Sequence, residues 1–156
     1  SEEFAKNVLV SSDGLNFKGP EITTSKKTGV LEDDIDEESY FLSGTKDLST
    51  GLVKHNITLK VNHKSKKQRN YFSANLCDEW MRCDGNKTDI DITSVTASKC
   101  TASSCNYSEV MRLSLSDDFL KEALVKGFTL RFNSKRRSNK VNISRSYLIG
   151  YLKVAD

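Results

Sequence analysis

The sequence predicts a mainly β fold: an antiparallel β-sandwich-like single domain with one short helix near residues 117–126. Three observations lead to this prediction. Apolar and polar residues alternate in several short segments, as in half-buried antiparallel strands. Only one segment has the periodicity of an amphipathic helix. No low-complexity linker divides the 156 residues, a length that suits one domain over residues 1–156, with residues 1–6 as a tail or an expression scar.

The first fifty residues give weaker signals. Short strands are predicted over residues 7–10 and 15–17, because the turn residues Asp13 and Gly14 lie between them. An acidic run occupies residues 32–38 and precedes the apolar residues 40–42. The run lacks the ligand spacing of a calcium-binding loop, so we interpret it as a solvated loop.

The clearest strand signal covers residues 53–63. Its odd positions are apolar between His55 and His63, and its even positions are polar, so one face is expected to be buried. A polar basic loop follows, and residues 71–76 then alternate again with Phe72, Ala74 and Leu76 expected inward. We therefore predict a long hairpin with a basic tip.

Two further strands are predicted before the helix. Residues 89–95 place Ile90 and Ile92 on one face, and residues 110–115 do the same with a second apolar set. That second set consists of Met111, Leu113 and Leu115.

Ser116 has the properties of a helix N-cap, since two aspartates follow it in the first turn, and Gly127 suits the residue that ends the helix. Residues 128–132 return to period 2, and residues 134–140 form a second polar, basic turn. The chain is then expected to close as a strand, bent near residues 144–146. Its inward residues would be Val141, Ile143, Tyr147, Ile149 and Tyr151.

All four cysteines lie between residues 77 and 105. Their spacings, x5 from Cys77 to Cys83 and x4 from Cys100 to Cys105, include neither a zinc knuckle nor a C-x-x-C redox motif. We predict two disulfides, and of the three connectivities we favour the local pairs, because each pair flanks a polar, turn-like segment. Reduced thiols and a metal site remain as alternatives. Disulfides predict an oxidising compartment, so the protein would be periplasmic, outer-membrane-anchored or secreted.

The two polar turns carry an unusual density of positive charge and are candidates for binding anions. If both turns lie at one end of the fold, they form one cationic patch. The alternative is that charged turns serve solubility and protect sheet edges. Nucleic acid is disfavoured, because no aromatic residues interleave with the basic ones and the net charge is only +3. The candidate residues are Lys64, Lys66, Lys67, Arg69, Lys135, Arg136, Arg137 and Lys140.

Trp80 lies inside the Cys77–Cys83 segment and has two interpretations. It is a candidate anchor for a partner, or it packs against the disulfide and the core. His55 and His63 are eight residues apart on one strand face, too far to share a metal ion. We expect each to be satisfied by hydrogen bonds, and we predict no metal site, no cofactor and no catalytic residue.

A resemblance adds to these observations. Cys100-x4-Cys105, Glu109 and residues 120–132 and 143–150 resemble small uncharacterised bacterial envelope proteins and lipoproteins. The resemblance covers roughly a third of the chain. Its motifs are structural and carry no known catalytic residues, so it implies a compartment and a fold type, and no activity.

The resulting functional hypothesis is a non-enzymatic binding or structural module of the bacterial cell envelope, secreted or lipid-anchored. Its partner would be a protein or an anionic envelope component. One alternative is a secreted factor that binds anionic surfaces through the basic turns. Another is an envelope-polymer hydrolase that uses carboxylates such as Asp84, Asp89 and Glu109. Common enzyme motifs are absent from the sequence, so we predict that the protein is not an enzyme.

Overall fold

Two antiparallel sheets dominate the fold, which confirms the predicted β-sandwich-like class. The computed structural model of the protein is described for residues 2–27 and 35–156. The strands are β1 (Leu9–Val10), β2 (Asn16–Lys18), β3 (Ile22–Lys27), β4 (Ile35–Lys46), β5 (Val53–Ser65), β6 (Ser73–Cys77), β7 (Thr88–Asp89), β8 (Asp91–Ser98), β9 (Cys105–Leu115), β10 (Phe128–Asn133) and β11 (Ser138–Ile143). The helices are α1 (Glu2–Lys6), α2 (Asp117–Glu122) and α3 (Arg145–Ala155).

Among the described residues the larger sheet has seven strands: six follow the order β1-β2-β4-β5-β9-β8, and β3 pairs with the same edge of β4 as β2. The smaller sheet has four strands in the order β11-β10-β6-β7. Apolar side chains of both sheets and of α3 form one core. In the described part of the chain, no helix has the length and apolar character needed to cross a membrane.

Strand β5 lies inside the larger sheet, and one of its faces is buried, as its alternating sequence predicted. It pairs with β4 on one side and β9 on the other, and Ile57, Leu59 and Val61 are completely buried. His55 and His63 are buried at either end of this apolar row. Because of this position and burial, truncating a side chain on the inner face of β5 should lower the free energy of unfolding strongly.

We expect Leu59→Ala to lower the free energy of unfolding by about 2–5 kcal/mol, because it removes core atoms and leaves a cavity. Leu48→Ala is the matched control, since Leu48 is exposed. Urea denaturation of both variants measures the difference. A loss below about 1 kcal/mol for Leu59→Ala would contradict the central position of β5.

The predicted hairpin between residues 53–63 and 71–76 is wrong. Both segments are strands, but β5 belongs to the larger sheet, while β6 pairs with β10 and β7 in the smaller one. The basic loop thus crosses from one sheet to the other. Of the three residues expected inward, only Ala74 lies in the core, and Phe72 and Leu76 are 48% and 43% exposed. Alternation identifies a strand but does not identify its partner.

The predicted C-terminal strand is correct only as far as Ile143. Residues 145–155 form α3, whose N-cap is Ser144: its hydroxyl accepts a hydrogen bond from the Tyr147 N–H at 3.1 Å. The buried residues Tyr147, Leu148, Tyr151, Leu152 and Ala155 have helical spacing. The odd positions chosen for a strand include the two tyrosines of this stripe, which explains the error.

The predicted helix is confirmed. Ser116 caps α2 by accepting the Phe119 N–H at 3.0 Å, residues 123–125 add a 3₁₀ turn, and Gly127 ends the helix with φ of 78°. At the other end of the chain, the strands predicted over residues 7–10 and 15–17 are present as the shorter β1 and β2, which pair antiparallel. Residues 2–6, for which a tail or scar was predicted, form α1, and its Phe4 ring lies 5.2 Å from that of Tyr147.

Residues 89–95 divide between β7 and β8, and Ile92 is half exposed because β8 is the outermost strand of the larger sheet. The acidic run was interpreted as a solvated loop, but residues 35–38 belong to β4, where Asp36 and Glu38 are buried. Residues 32–34 of that run lie outside the described residues.

Two disulfides join Cys77 to Cys83 and Cys100 to Cys105, the local pairing that the sequence favoured. Structural disulfides are typical of proteins that mature outside the reducing cytosol. The bonds and the fold thus fit an extracellular or secreted protein.

Candidate anion-binding cleft

The two basic segments of the sequence converge on one cleft of about 450 Å³. One wall is residues 65–70, the last residue of β5 and the loop that follows it, and the other is the turn of residues 134–137 between β10 and β11. The cleft thus brings together six of the eight predicted anion-binding residues. Its lining consists of Ser65, Lys66, Lys67, Gln68, Arg69, Asn70, Ser134, Lys135, Arg136 and Arg137.

Strand pairing explains why the two segments meet. Ser73, the first residue of β6, pairs with Asn133, the last residue of β10, in antiparallel register. The Phe72 N–H also donates to the Asn133 carbonyl at 2.9 Å. The loop that precedes β6 and the turn that follows β10 must therefore lie at the same end of the smaller sheet.

The turn wall is fixed by its own backbone. The Ser134 N–H donates to the Arg137 carbonyl at 2.9 Å, and the Ser134 hydroxyl accepts the Arg137 N–H at 3.2 Å. The flanking residues Asn133 and Ser138 close the hairpin as a strand pair. These bonds define the backbone while leaving the side chains of Lys135 and Arg136 in solvent.

The loop wall is fixed by Glu109, a side chain of β9 that is 1% exposed. One carboxylate oxygen accepts the Arg69 N–H at 2.9 Å and His63 Nε2–H at 2.5 Å, and the other accepts the Asn70 N–H at 3.1 Å. Burial alone would raise the pKa of Glu109, but these hydrogen bonds outweigh it, so the pKa lies below its ordinary value of 4.5. Glu109 therefore supports the loop as a buried carboxylate.

Arg69 lines the cleft, but its charge is already paired. Its guanidinium donates to both oxygens of Asp36, at 2.6 and 2.8 Å, and the two side chains are only 9% and 5% exposed. It also donates to the Tyr71 hydroxyl at 3.2 Å. Arg69 is thus part of the support of the cleft, in contrast to the binding role that the sequence suggested.

A chain of hydrogen bonds continues from this pair into the second sheet. The Tyr71 hydroxyl donates to Asn139, and the Asn139 amide donates to Glu38 of β4. Burial raises the pKa of Tyr71 to about 12, so its hydroxyl keeps its proton at neutral pH. The network connects Arg69, which lines the cleft, to β11 and β4.

Five cations of the cleft remain for a ligand. Within residues 2–27 and 35–156, no carboxylate lies in ion-pair distance of them, and none lines the cleft. Like charges confined to one concave surface create a positive potential that attracts anions. These five residues are Lys66, Lys67, Lys135, Arg136 and Arg137.

The other two predicted anion-binding residues lie outside the cleft. Lys64 lines a neighbouring depression beside Glu37 and Tyr107. Lys140 donates to the Met81 carbonyl at 3.3 Å, which places it against the Cys77–Cys83 loop.

Trp80 is 74% exposed, so its packing against the disulfide and core, the second interpretation of the sequence, is wrong. Asp78 accepts the N–H groups of Trp80 and Arg82, both at 2.9 Å, and the Glu79–Lys126 ion pair of 3.0 Å ties the loop to the segment after α2. Its role as a partner anchor stays a prediction, on a loop of defined conformation.

His55 forms a second polar cluster that the sequence did not reveal. Its Nε2–H donates to Asp117 at 2.7 Å, and its Nδ1 lies 2.8 Å from the Tyr151 hydroxyl. Ligand atoms of His55, Asp117 and Asp156 lie within 4.8 Å of one another, so these residues could hold a metal ion. Burial raises the pKa of Asp156, and the Asp117 charge adds to the effect. Lys121 forms an ion pair with Asp117 at 2.7 Å, so a side chain of the protein compensates one of the two carboxylates.

The carboxylates considered for hydrolysis lie in different environments. Glu109 is buried and accepts three hydrogen bonds, whereas Asp84 and Asp89 are exposed. A pair of carboxylates facing one substrate would need both to be accessible.

The protein is thus an antiparallel β-sandwich with two local disulfides and a cationic cleft at one end. No family model matches the chain, and no curated protein or solved structure matches it.

Proposed function

We propose that this chain is a non-enzymatic binding module of the bacterial cell envelope, secreted or lipid-anchored, that binds an anionic envelope component in the cationic cleft. The observation that carries the proposal is the convergence of residues 65–70 and 134–137 on one concave surface. Strand pairing alone brings the two backbone segments together. Solubility does not require that five cations line the concave surface between them, whereas an anion site does.

The construction of the cleft also supports binding. Its two backbone walls are held by Glu109 and by the Ser134–Arg137 turn, so little backbone ordering is needed when a ligand arrives. The charged side chains stand on this fixed backbone. The buried Arg69–Asp36 pair removes one positive charge from the cleft and stabilises its base.

The compartment rests on two separate supports. Two disulfides require oxidising conditions to form, and the bacterial envelope meets that requirement outside the inner membrane. The resemblance of Cys100-x4-Cys105, Glu109 and residues 120–132 and 143–150 to small bacterial envelope proteins favours the same place. Envelope polymers and lipid head groups there carry phosphates, the chemistry to which a cluster of Lys and Arg responds.

Charge reversal tests the proposal. We expect Lys66→Glu, Lys67→Glu, Arg136→Glu and Arg137→Glu, combined in one variant, to abolish the binding of inorganic polyphosphate in isothermal titration calorimetry. Wild-type affinity should fall steeply with salt, because each contacted phosphate releases counterions. The melting temperature should change little, since these side chains are exposed.

A matched control separates the cleft from net charge. Lys6, Lys54, Lys60 and Lys87 are also exposed and do not line the cleft, and their reversal changes the net charge equally. We expect this control to keep most of the wild-type affinity. Equal losses in both variants, or wild-type protein that binds no polyanion, would overturn the proposal.

A further inference from the structure

We infer that the ligand of the cationic cleft is a phosphorylated sugar, an inference that rests on the proposed function and narrows its anionic component to one chemical class. The lining of the cleft carries the inference, because it mixes positive charge with neutral amide groups and includes no aromatic or aliphatic residue among those described.

The described lining of the cleft lacks the residue types that bind nucleobases and acyl chains. Among the described residues, neither an aromatic nor an aliphatic side chain lines the cleft. Single-stranded nucleic acids are held by stacking their bases on aromatic rings, and acyl chains need apolar walls. Bases and lipid tails would therefore find no complementary surface here, whereas a polar ligand would.

The second consideration is the neutral groups. The side-chain amides of Gln68 and Asn70 line the cleft between the cations, are exposed, and have no hydrogen-bond partner within the part of the chain that the structure describes. An amide both donates and accepts, as a sugar hydroxyl does. Inorganic polyphosphate offers only acceptors, so the amide oxygens would go unused with such a ligand.

The hydroxyls of the lining differ from these amides. Ser65 contacts His63 Nδ1 at 2.7 Å, and Ser134 is bonded to Arg137 within its turn. Both hydroxyls thus have internal partners, which leaves Gln68 and Asn70 as the neutral side chains for a ligand. A volume of about 450 Å³ lies within the usual range for small-ligand sites and suits one sugar unit with its phosphate.

Asn70 can be replaced by glycine without straining the backbone. Its φ is 59°, in the left-handed region that glycine adopts without strain, so Asn70→Gly deletes the amide and keeps the backbone that Glu109 holds. Combined with Gln68→Ala, it removes both neutral groups and no charge. The charge-reversal variant removes the cations and keeps both amides.

The experiment compares three soluble probes of matched charge on wild-type protein and on the Gln68→Ala/Asn70→Gly variant: phosphorylated mannan, inorganic polyphosphate and single-stranded DNA. We expect wild-type protein to prefer the phosphomannan by about tenfold, the equivalent of one net hydrogen bond. The variant should lose that preference and keep its affinity for polyphosphate. Vesicles with a phosphorylated glycolipid, compared with phosphatidylglycerol vesicles, then show whether the sugar is taken from a membrane head group or from a free polymer.

Equal wild-type affinity for phosphomannan and polyphosphate would overturn the sugar assignment and leave the proposed function intact. The sugar assignment would also fail if the variant kept the tenfold preference, or if DNA were the preferred probe. Absence of binding to all probes would overturn the proposed function itself.

Discussion

Asp36→Ala is expected to lower the free energy of unfolding by about 3–5 kcal/mol, the usual cost of removing one partner from a buried ion pair. The variant leaves the Arg69 guanidinium, 9% exposed, without the two carboxylate oxygens that it contacts at 2.6 and 2.8 Å. Chemical denaturation at neutral pH measures the change. The effect is large because an uncompensated charge remains inside the protein, not because the pair itself contributes that much.

That distinction can be tested with a second substitution. Replacing both partners, as Asp36→Leu/Arg69→Met, removes the stranded charge and should recover most of the lost stability. Arg82→Met is the matched control, because Arg82 forms a 3.5 Å ion pair with Asp78 that is largely exposed. We expect the control to cost less than about 1 kcal/mol. An Asp36→Ala cost as small as that of the control would mean that the Arg69 charge reaches solvent, contrary to its buried position.

Glu109→Gln is expected to destabilise the protein by about 3 kcal/mol at neutral pH, since hydrogen bonds to a charged acceptor are worth about 1.5–3 kcal/mol each. Three donors, from His63, Arg69 and Asn70, converge on this carboxylate. A neutral amide accepts at only one of its two terminal atoms, and its NH₂ would face a donor.

The pH dependence gives the same prediction a second readout. Because the pKa of Glu109 is lower in the folded protein than its ordinary 4.5, its contribution to stability is complete above pH 4.5 and disappears as pH falls through the folded pKa. The difference between wild type and Glu109→Gln should therefore shrink in acid. Glu79→Gln, at the exposed ion pair with Lys126, is the control and should show little pH-dependent difference. A wild-type advantage that stays constant down to about pH 2 would contradict the role of the ionised carboxylate.

Much of the fold could be predicted from local patterns. The row Ile57, Leu59 and Val61 identified β5, and Ser116 and Gly127 bounded the helical segment. These features are set by neighbouring residues. Strand partners are set by the whole chain, so the assignment of residues 71–76 to a hairpin with β5 failed. The strand predicted across Tyr147 and Tyr151 was wrong for another reason. Residues four apart lie on one face of a helix, but they also lie on one face of a strand, so this spacing alone does not distinguish the two.

The sequence predicted the two walls of the cleft but could not predict that they meet. Density of Lys and Arg identified both of its walls, but their meeting depends on the pairing of Ser73 with Asn133, which no local pattern contains. The buried polar side chains that hold the cleft, such as Asp36, Glu38 and Glu109, were not predicted. One signal was present: Asp36 and Glu38 continue the even parity of Tyr40 and Leu42, which places them on the inner face of β4. Acidic residues on an inner face predict buried partners, and the run was instead interpreted as solvated.

The most direct test of an anion-binding cleft is an NMR titration of backbone amides with phosphorylated mannan. We expect the amides of residues 65–70 and 134–137 to shift together with a single dissociation constant, while those of residues 78–82 around Trp80 stay unchanged. The chemical-shift changes of residues 65–70 and of residues 134–137 should both disappear in the charge-reversal variant. Binding that shifts the Trp80 loop and neither wall of the cleft, or shifts one wall without the other, would contradict an anion site formed by both walls.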